Sequence, residues 1–355
     1  MSASVQEAPA PAAAPAAGLQ SVRARRRRGT AVRVGAVAGV AAGLFAVNIL
    51  LGTYTVTIPD FLRIVGGAEI PGASFIVLEN KLPRAVIGLL IGVAFGVSGA
   101  VFQTMLRNPL ASPDIIGISY GASASAVTAI VLFGAAGVAV SLSALVGAMV
   151  VAAAIYLISR RGGVAGYRLI LVGIGFAAVM HALVNFLITR TDLRTASEAL
   201  LWLNGSLNSS NWDRVSVLLA CLAVLVPAAA VLSRSLAGLE LGDDAAAGLG
   251  VRVEASRLGL MATAVALAAV ATAAAGPVAS IAFLSGPIAR RLLGNRPSLA
   301  LAGLVGAVIV LGADFVAANL IPGTSLPVGV ITGALGAPFL LWLLATAHRR
   351  GEGGG

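Results

Sequence analysis

The residues whose types and spacing most invite a chemical reading lie in one Pro-broken polar stretch, Leu106-Arg107-Asn108-Pro109-Leu110-Ala111-Ser112-Pro113-Asp114-Ile115-Ile116-Gly117-Ile118-Ser119-Tyr120-Gly121. Within it Gly117-x-Ser119-x-Gly121 fits the spacing of a nucleophile elbow, which would make Ser119 an attacking hydroxyl. An elbow also needs a strand-turn-helix setting, a general base and an oxyanion hole. Here the serine borders long apolar segments, and the two histidines, His181 and His348, stand far off in the chain. An intramembrane peptidase pairing Ser and His on neighbouring helices is the enzyme reading that remains. No Cys/His cluster has metal-ligand spacing, and Cys221 is the single cysteine, so neither a disulfide nor a thiol-metal site forms within one chain. No phosphate-loop motif is present, so the chain is not expected to hydrolyse nucleotide. Ion-coupled transport would want ionisable groups at mid-membrane. Asp314, with His181, Asn185 and Asn319, is the clearest set, although an acid there equally caps or pairs inside a helix bundle.

The elements that must hold these residues are membrane helices. The chain has 355 residues, 58% hydrophobic and only 11% charged, with a mean hydropathy of +0.97. Soluble domains average about 25% charged residues. Apolar blocks near the roughly 20 residues of a bilayer crossing recur throughout, at 33–51, 82–105, 115–134, 138–158, 169–189, 213–232, 257–275, 278–293, 298–319 and 326–347. The expectation is an all-α polytopic membrane protein of about ten transmembrane helices with both termini cytoplasmic. Of the 24 Lys and Arg residues, that topology puts 18 inside and 6 outside (Arg63, Lys81, Arg84, Arg190, Arg194 and Arg214), as the positive-inside rule requires. The net charge of +10 therefore reads as orientation and lipid-headgroup contact, with no nucleic-acid partner. Residues 1–30, Ala/Pro-rich and ending in an Arg run, read as a disordered basic cytoplasmic tail ahead of an uncleaved first span. The transmembrane domain covers 31–348, and 349–355 form a C-terminal tail.

Several segments carry packing or partner signals. Gly88, Gly92, Gly96 and Ala100 stand four apart in the second span, and Gly329, Gly333 and Ala337 repeat the device in the tenth, as in helices whose backbones touch within lipid. Gly286-Pro287 points to a bent or broken eighth span. Outside, 191–211 reads as a short interfacial helix, with Trp202 and Trp212 as anchors and a lid as the sharper alternative. Inside, segment 233–256 places Asp243 and Asp244 at a helix start, favourable to the helix dipole, and so presents an ordered knob to a soluble partner. Asn108 and Asp114 are placed to cap the helix that follows the polar stretch.

These residues together resemble the permease subunits of the type II ABC importers for iron-siderophores, haem and cobalamin. The likeness runs from about Tyr54 to Leu344. Its marks are Leu82-Pro83-Arg84, Ser98-Gly99 and Gln103, then Asn108-Pro109-Leu110-Ala111-x-Pro113-x-x-x-Gly117-x-Ser119-x-Gly121-Ala122, then Leu241-Gly242 with Leu249-Gly250-Val251, and finally Leu326-Pro327-Val328-Gly329 through Pro338. The resemblance implies a ten-helix subunit in the bacterial cytoplasmic membrane. Its implied partners are a second permease subunit (a heterodimer, with a homodimer as the alternative), two ATPase subunits that use ATP, and an extracytoplasmic substrate-binding lipoprotein. No cofactor or metal is implied for this chain itself. Lys81 and Arg84 match positions that meet acids of the binding protein, and Leu241, Gly242, Asp243, Leu249 and Gly250 match the part that couples to the ATPase. The fifth and tenth spans and the short outer helix match the walls of the path. The run Trp202-Leu203-Asn204-Gly205-Ser206-Leu207-Asn208 looks closest to permeases for ferric catecholate siderophores, with cobalamin and haem behind; an ion-coupled secondary carrier is the reading from another class. Two departures stand out. Where the family has Pro-His-x-x-Arg this chain reads Gly286-Pro287-Ile288-Ala289-Arg290, without the His, and the 162–167 stretch before the fifth span offers no assignable gate residue.

Overall fold

A computed structural model describes residues 14–160, 166–321 and 326–351. Every regular element among the described residues is helical. They are α1 (Ala14–Leu50), α2 (Ile58–Val65), α3 (Ala73–Phe75), α4 (Leu82–Met105), α5 (Ile118–Phe133), α6 (Val138–Ser159), α7 (Gly166–Arg190), α8 (Leu193–Leu203), α9 (Trp212–Leu239), α10 (Asp243–Gly248), α11 (Val253–Ala275), α12 (Ile281–Leu292), α13 (Leu299–Asn319) and α14 (Val328–Gly351), with a π-helical turn, Ile76–Lys81, leading into α4. The ten apolar blocks fall on α1, α4 to α7, α9 and α11 to α14.

Seven of the described helical stretches are long and apolar enough to cross a membrane, while α5 and Val328–Trp342 of α14 are shorter apolar helices. At 1.5 Å per residue α5 is about 24 Å long and α12 about 18 Å, less than the ~30 Å hydrocarbon core. Each loses length at its start: the 106–117 turn takes residues from the block that holds α5, and irregular backbone at 276–280 takes them from α12. That irregular stretch is satisfied by protein, as a bilayer demands: the amide of Ser206 donates to the Ala275 carbonyl at 2.8 Å, and Gly205 packs on the Pro277 carbonyl. At the N-terminus α1 starts at Ala14, inside the stretch that composition reads as a disordered tail to residue 30. Ala and Arg are strong helix formers and extend the apolar helix without a break. Likewise α14 continues to Gly351, into the segment expected as a tail.

α4 is the hub, packed on α9, α11, α12 and α13. Its glycine row does what the spacing predicts. A Cβ on Gly92 would sit 2.5 Å from Ala307 Cα and 2.6 Å from the Gly306 carbonyl, so only a bare backbone fits against α13. Two buried polar side chains fix the other contacts: Ser98 Oγ donates to the Ala264 carbonyl of α11 at 2.6 Å, and Gln103 Nε2 to the Phe283 carbonyl of α12 at 3.0 Å. The small-residue row of α14 behaves differently. Gly329 backs onto the Asn204 carbonyl, but a Cβ placed on Gly333 would meet no neighbouring helix nearer than Ala279 Cβ, 4.0 Å away, because this part of α14 borders a cavity.

Candidate functional site

The cavity has a volume of about 750 Å³ and is bounded by the 106–117 turn, α5, α7, α8, the 277–280 break, α12 and α14. Leu200 and Leu203 of α8 line it, so the short helix expected at 191–211 is also a piece of the cavity wall. Its N-cap is Asp192, whose carboxylate takes the amides of Arg194 and Thr195 at 3.0 Å. Those bonds, the Thr195 one first, hold the Asp192 carboxyl below the usual carboxylate range. Trp212 is more than an interfacial ring, since its Nε1 donates to the Leu78 carbonyl at 2.8 Å.

Polar side chains stud the wall at the level of the helices. His181 of α7 meets the Tyr120 ring of α5 edge-on, with centroids 6.0 Å apart, and Asn185 Nδ2 lies 3.4 Å from His181 Nδ1. Both α7 residues are exposed on a helix otherwise apolar enough to cross a membrane. Polar groups halfway along such a helix turn toward protein or water, and here they face the cavity. The sequence singled out His181 and Asn185; Tyr120 as their partner shows only in the packing.

The motif turn forms the cavity floor with Leu110, Ser112, Asp114 and Ile115. Its hydrogen bonds are local. Asn108 Oδ1 accepts from the Leu110 amide at 2.9 Å, an Asx turn, and the Ala111 amide donates to the Asn108 carbonyl at 3.1 Å. Pro109 follows the turning residue, and the amide of Ile118 closes on the carbonyl of Pro113 at 3.1 Å. The expected capping of α5 by Asn108 or Asp114 does not occur. Gly117 holds the N-cap in left-handed backbone, φ +89°, with the Gly173 carbonyl 2.7 Å from where a Cβ would stand. Gly121 packs with equal closeness on Gly147 and Val151 of α6. Ser119 donates its hydroxyl to Asp114 Oδ1, and the turn before it follows a helix, α4, where an elbow needs a strand, so the G-x-S-x-G match is structural. Burial pushes the Asp114 carboxyl above its usual value, with the Ser119 hydroxyl pulling the other way.

At the end of the bundle where α4 begins, the two cations expected to dock a partner are engaged within the chain. Arg84 forms a fork with Asp314, Nε to Oδ2 at 2.9 Å and Nη2 to Oδ1 at 2.8 Å, and donates through Nη1 to Asn208 Oδ1 at 2.8 Å. Lys81 Nζ donates to the carbonyls of Ile49 (3.1 Å), Leu51 (2.8 Å) and Tyr54 (2.5 Å), closing the C-terminus of α1. These groups line a polar recess of about 370 Å³ with Asn48, Asn80 and Asn319. Asp314 is thus the pairing acid of α13, set toward Arg84 and away from the cavity.

At the opposite end of the bundle, α10 is a six-residue helix with Asp243 and Asp244 in its first turn. Leu241 and Leu249, on either side of it, are 66% and 67% exposed. Gly242 and Gly250 turn the chain into and out of it at φ +117° and +79°. Asp243 takes Arg257 at 2.9 Å, and Glu240 takes Arg290 at 3.0 Å while Arg290 Nη2 donates to Thr104 Oγ1 at 2.7 Å. Arg290 is the arginine retained from the altered eighth-span motif, and Ile288 packs into a neighbouring apolar cluster. Of the 162–167 stretch that offered no gate residue, 162–165 lie outside the described residues. Among the described residues no three His, Cys, Asp or Glu side chains gather closely enough to hold a metal ion.

A profile of the FecCD transport family matches residues 40–346. The chain belongs to that family. Over 291 residues it is 41% identical to the ferric enterobactin transport system permease protein FepG of Escherichia coli strain K12, covering 82% of this chain and 88% of that one. It is 37% identical over 289 residues to the achromobactin transport system permease protein CbrC of Dickeya dadantii strain 3937, covering 80% and 83%. Among solved structures, a metal-chelate type ABC transporter in an inward-facing conformation superposes with a TM-score of 0.77 at 25% identity, over 88% of this chain and 98% of that one. The protein is therefore a polytopic membrane permease of the transport class, not an enzyme family member.

Proposed function

We propose that this FecCD permease is the membrane-spanning subunit of an ABC importer for an iron-siderophore complex, with ferric catecholates as the leading cargo. The observation that carries the reading is the cavity wall: Tyr120 of α5 with His181 and Asn185 of α7 place hydrogen-bonding groups on two apolar helices beside a 750 Å³ space that this chain leaves partly open. The names of the FepG and CbrC relatives support the cargo class. In this reading the protein lies in the bacterial cytoplasmic membrane with ten crossings and both termini inside, and a second permease subunit completes the passage. No cofactor binds this chain. Two ATPase subunits consume ATP and seat on α10, where Leu241 and Leu249 offer apolar contacts beside Gly242, Asp243 and Gly250. A substrate-binding lipoprotein docks outside, its acidic side chains entering the polar recess at Lys81 and Arg84.

Reconstitution tests this directly. The chain is co-purified with its second permease and ATPase subunits, placed in liposomes, and assayed for iron-55 uptake as a ferric tris-catecholate presented by the binding protein. ATP-dependent accumulation is expected. Uptake by the chain alone on an ion gradient, indifferent to ATP, would reject the importer in favour of a secondary carrier.

A further inference from the structure

The 106–117 turn is more ordered than a connection between two helices requires, and its two ends reach different parts of the molecule. At one end Arg107 sits in left-handed backbone, φ +50°, which a non-glycine residue keeps only when its surroundings impose it. Its guanidinium donates to the Leu239 carbonyl through Nη2 at 2.9 Å and Nε at 3.3 Å, closing the C-terminus of α9. Arg107 Nη2 also lies 3.6 Å from Asp243 Oδ1, in the first turn of α10. Asp243 in turn receives Arg257 of α11 at 2.9 Å. A Cβ on Gly242 would come within 3.8 Å of the same Arg107 Nη2, so the arginine lies against the entry to α10. At the other end of the turn, Asp114 and Ile115 floor the cavity, and Asp114 accepts from Ser119 at the start of α5.

The chain between these ends is braced. The Asn108 amide donates back to the Gln103 carbonyl at 3.1 Å, Asn108 Oδ1 holds Leu110, and Ile116 closes on Ser112 at 3.1 Å. Two prolines, Pro109 and Pro113, fix φ within it. A displacement at Arg107 is therefore passed to Asp114 by a stiff segment. The cap on α9 stabilises the fold, but the half-exposed ion pair that reaches on to Asp243 adds little to it, and the left-handed residue costs free energy.

We propose that Arg107 is a positioning residue that fastens the 106–117 turn to α10, so that motion of α10 shifts the floor of the passage at Asp114 and Ser119. The inference rests on the import reading above and gives its motif turn a role: the turn links the ATPase contact to the cargo path. Arg290 supplies a comparison, since it ties Glu240 and Thr104 together at the same end of the bundle without entering the turn.

The test uses the full complex in liposomes. The wild-type complex comes first: no ATP-driven uptake at all would reject the import reading itself, apart from this inference. With the wild type active, Arg107→Ala is expected to assemble and to lower iron uptake per ATP hydrolysed at least about fivefold, the low end of ordinary coupling between sites. Asp243→Asn should lower it similarly, and Arg107→Ala with Asp243→Asn should be no worse than the poorer single variant. Arg290→Ala should keep the wild-type ratio. Arg107→Lys, which retains the charge without the forked grip on Leu239, covers the case in which the alanine variant fails to fold; it should lose part of the coupling. A second readout reports the floor itself. Ile115→Cys, in a Cys221→Ser background, should change its maleimide labelling rate when ATP is added, and Arg107→Ala should abolish that change. An unaltered uptake ratio in both Arg107 variants, an equal loss in Arg290→Ala, or an intact ATP effect on labelling would overturn the proposal.

Discussion

Replacing Asp314 by Leu removes the acid that holds Arg84 between α4 and α13, and the geometry sets the size of the effect. The pair makes two parallel N–H···O bonds at 2.8 and 2.9 Å, the strong class of charge-assisted contact. The Asp314 side chain is 2% exposed and that of Arg84 20%. Stripping one partner from a buried pair costs about 3–5 kcal/mol, because the other charge is left without compensation. In Asp314→Leu, Arg84 keeps Asn208 and its share of the polar recess, so about 2–3 kcal/mol is expected. In Arg84→Met, the nearly fully buried carboxylate is stranded, and the full range of about 3–5 kcal/mol applies. Changing both residues together removes both charges and should return stability to within about 1 kcal/mol of the wild type, since apolar replacement of a buried pair is often close to neutral. The double-mutant cycle therefore carries at least about 4 kcal/mol of coupling. Equilibrium unfolding of the purified protein in mixed detergent micelles, followed by tryptophan fluorescence, measures all four corners. Additive single losses, or a double variant as unstable as their sum, would refute the view that Arg84 and Asp314 form one desolvated unit.

Other consequences follow from the same contacts. Gly92→Leu, at the closest approach of α4 and α13, should abolish monodisperse protein in size-exclusion chromatography, whereas Gly39→Ala, with nothing within 4 Å, should elute as the wild type does. Asp114 has its carboxyl raised in the folded state, so the folded state binds the extra proton just above the usual carboxylate value; stability should fall as pH rises through that window, and Asp114→Asn should flatten the profile measured from about pH 4 to about pH 8. His181→Leu should leave stability within about 0.5 kcal/mol, as expected where a side chain borders open space, yet lower ATP-driven iron uptake in the liposome assay; unchanged uptake would remove His181 from the passage wall.

The parts of this protein legible in the sequence are those that the bilayer itself dictates. Apolar runs, the Gly88–Gly96 row and the polar exceptions His181, Asn185 and Asp314 stand out because lipid penalises every departure from an apolar, self-satisfied helix. What each exception meets is a matter of tertiary packing across long stretches of chain. Arg84 pairs with an acid 230 positions away, and Lys81 closes the end of a helix that ended some 30 residues earlier, so a cation at a helix mouth reads equally well as a docking charge or as an internal clamp. The same limit explains the caps. Asn108 and Asp114 have the right chemistry to cap α5, but Gly117 must pass close to Gly173, and only a left-handed glycine fits there; the backbone turn thus took the cap position and released Asp114 to bind Ser119. Helix length misleads for a related reason. An apolar residue count does not distinguish a straight crossing from a shorter helix preceded by protein-covered irregular backbone, and before α5 and before α12, where the described residues show the second arrangement, the irregular backbone borders the cavity. In a membrane protein non-helical backbone survives only where protein or water satisfies it, so such breaks are themselves a sequence-level pointer to the passage.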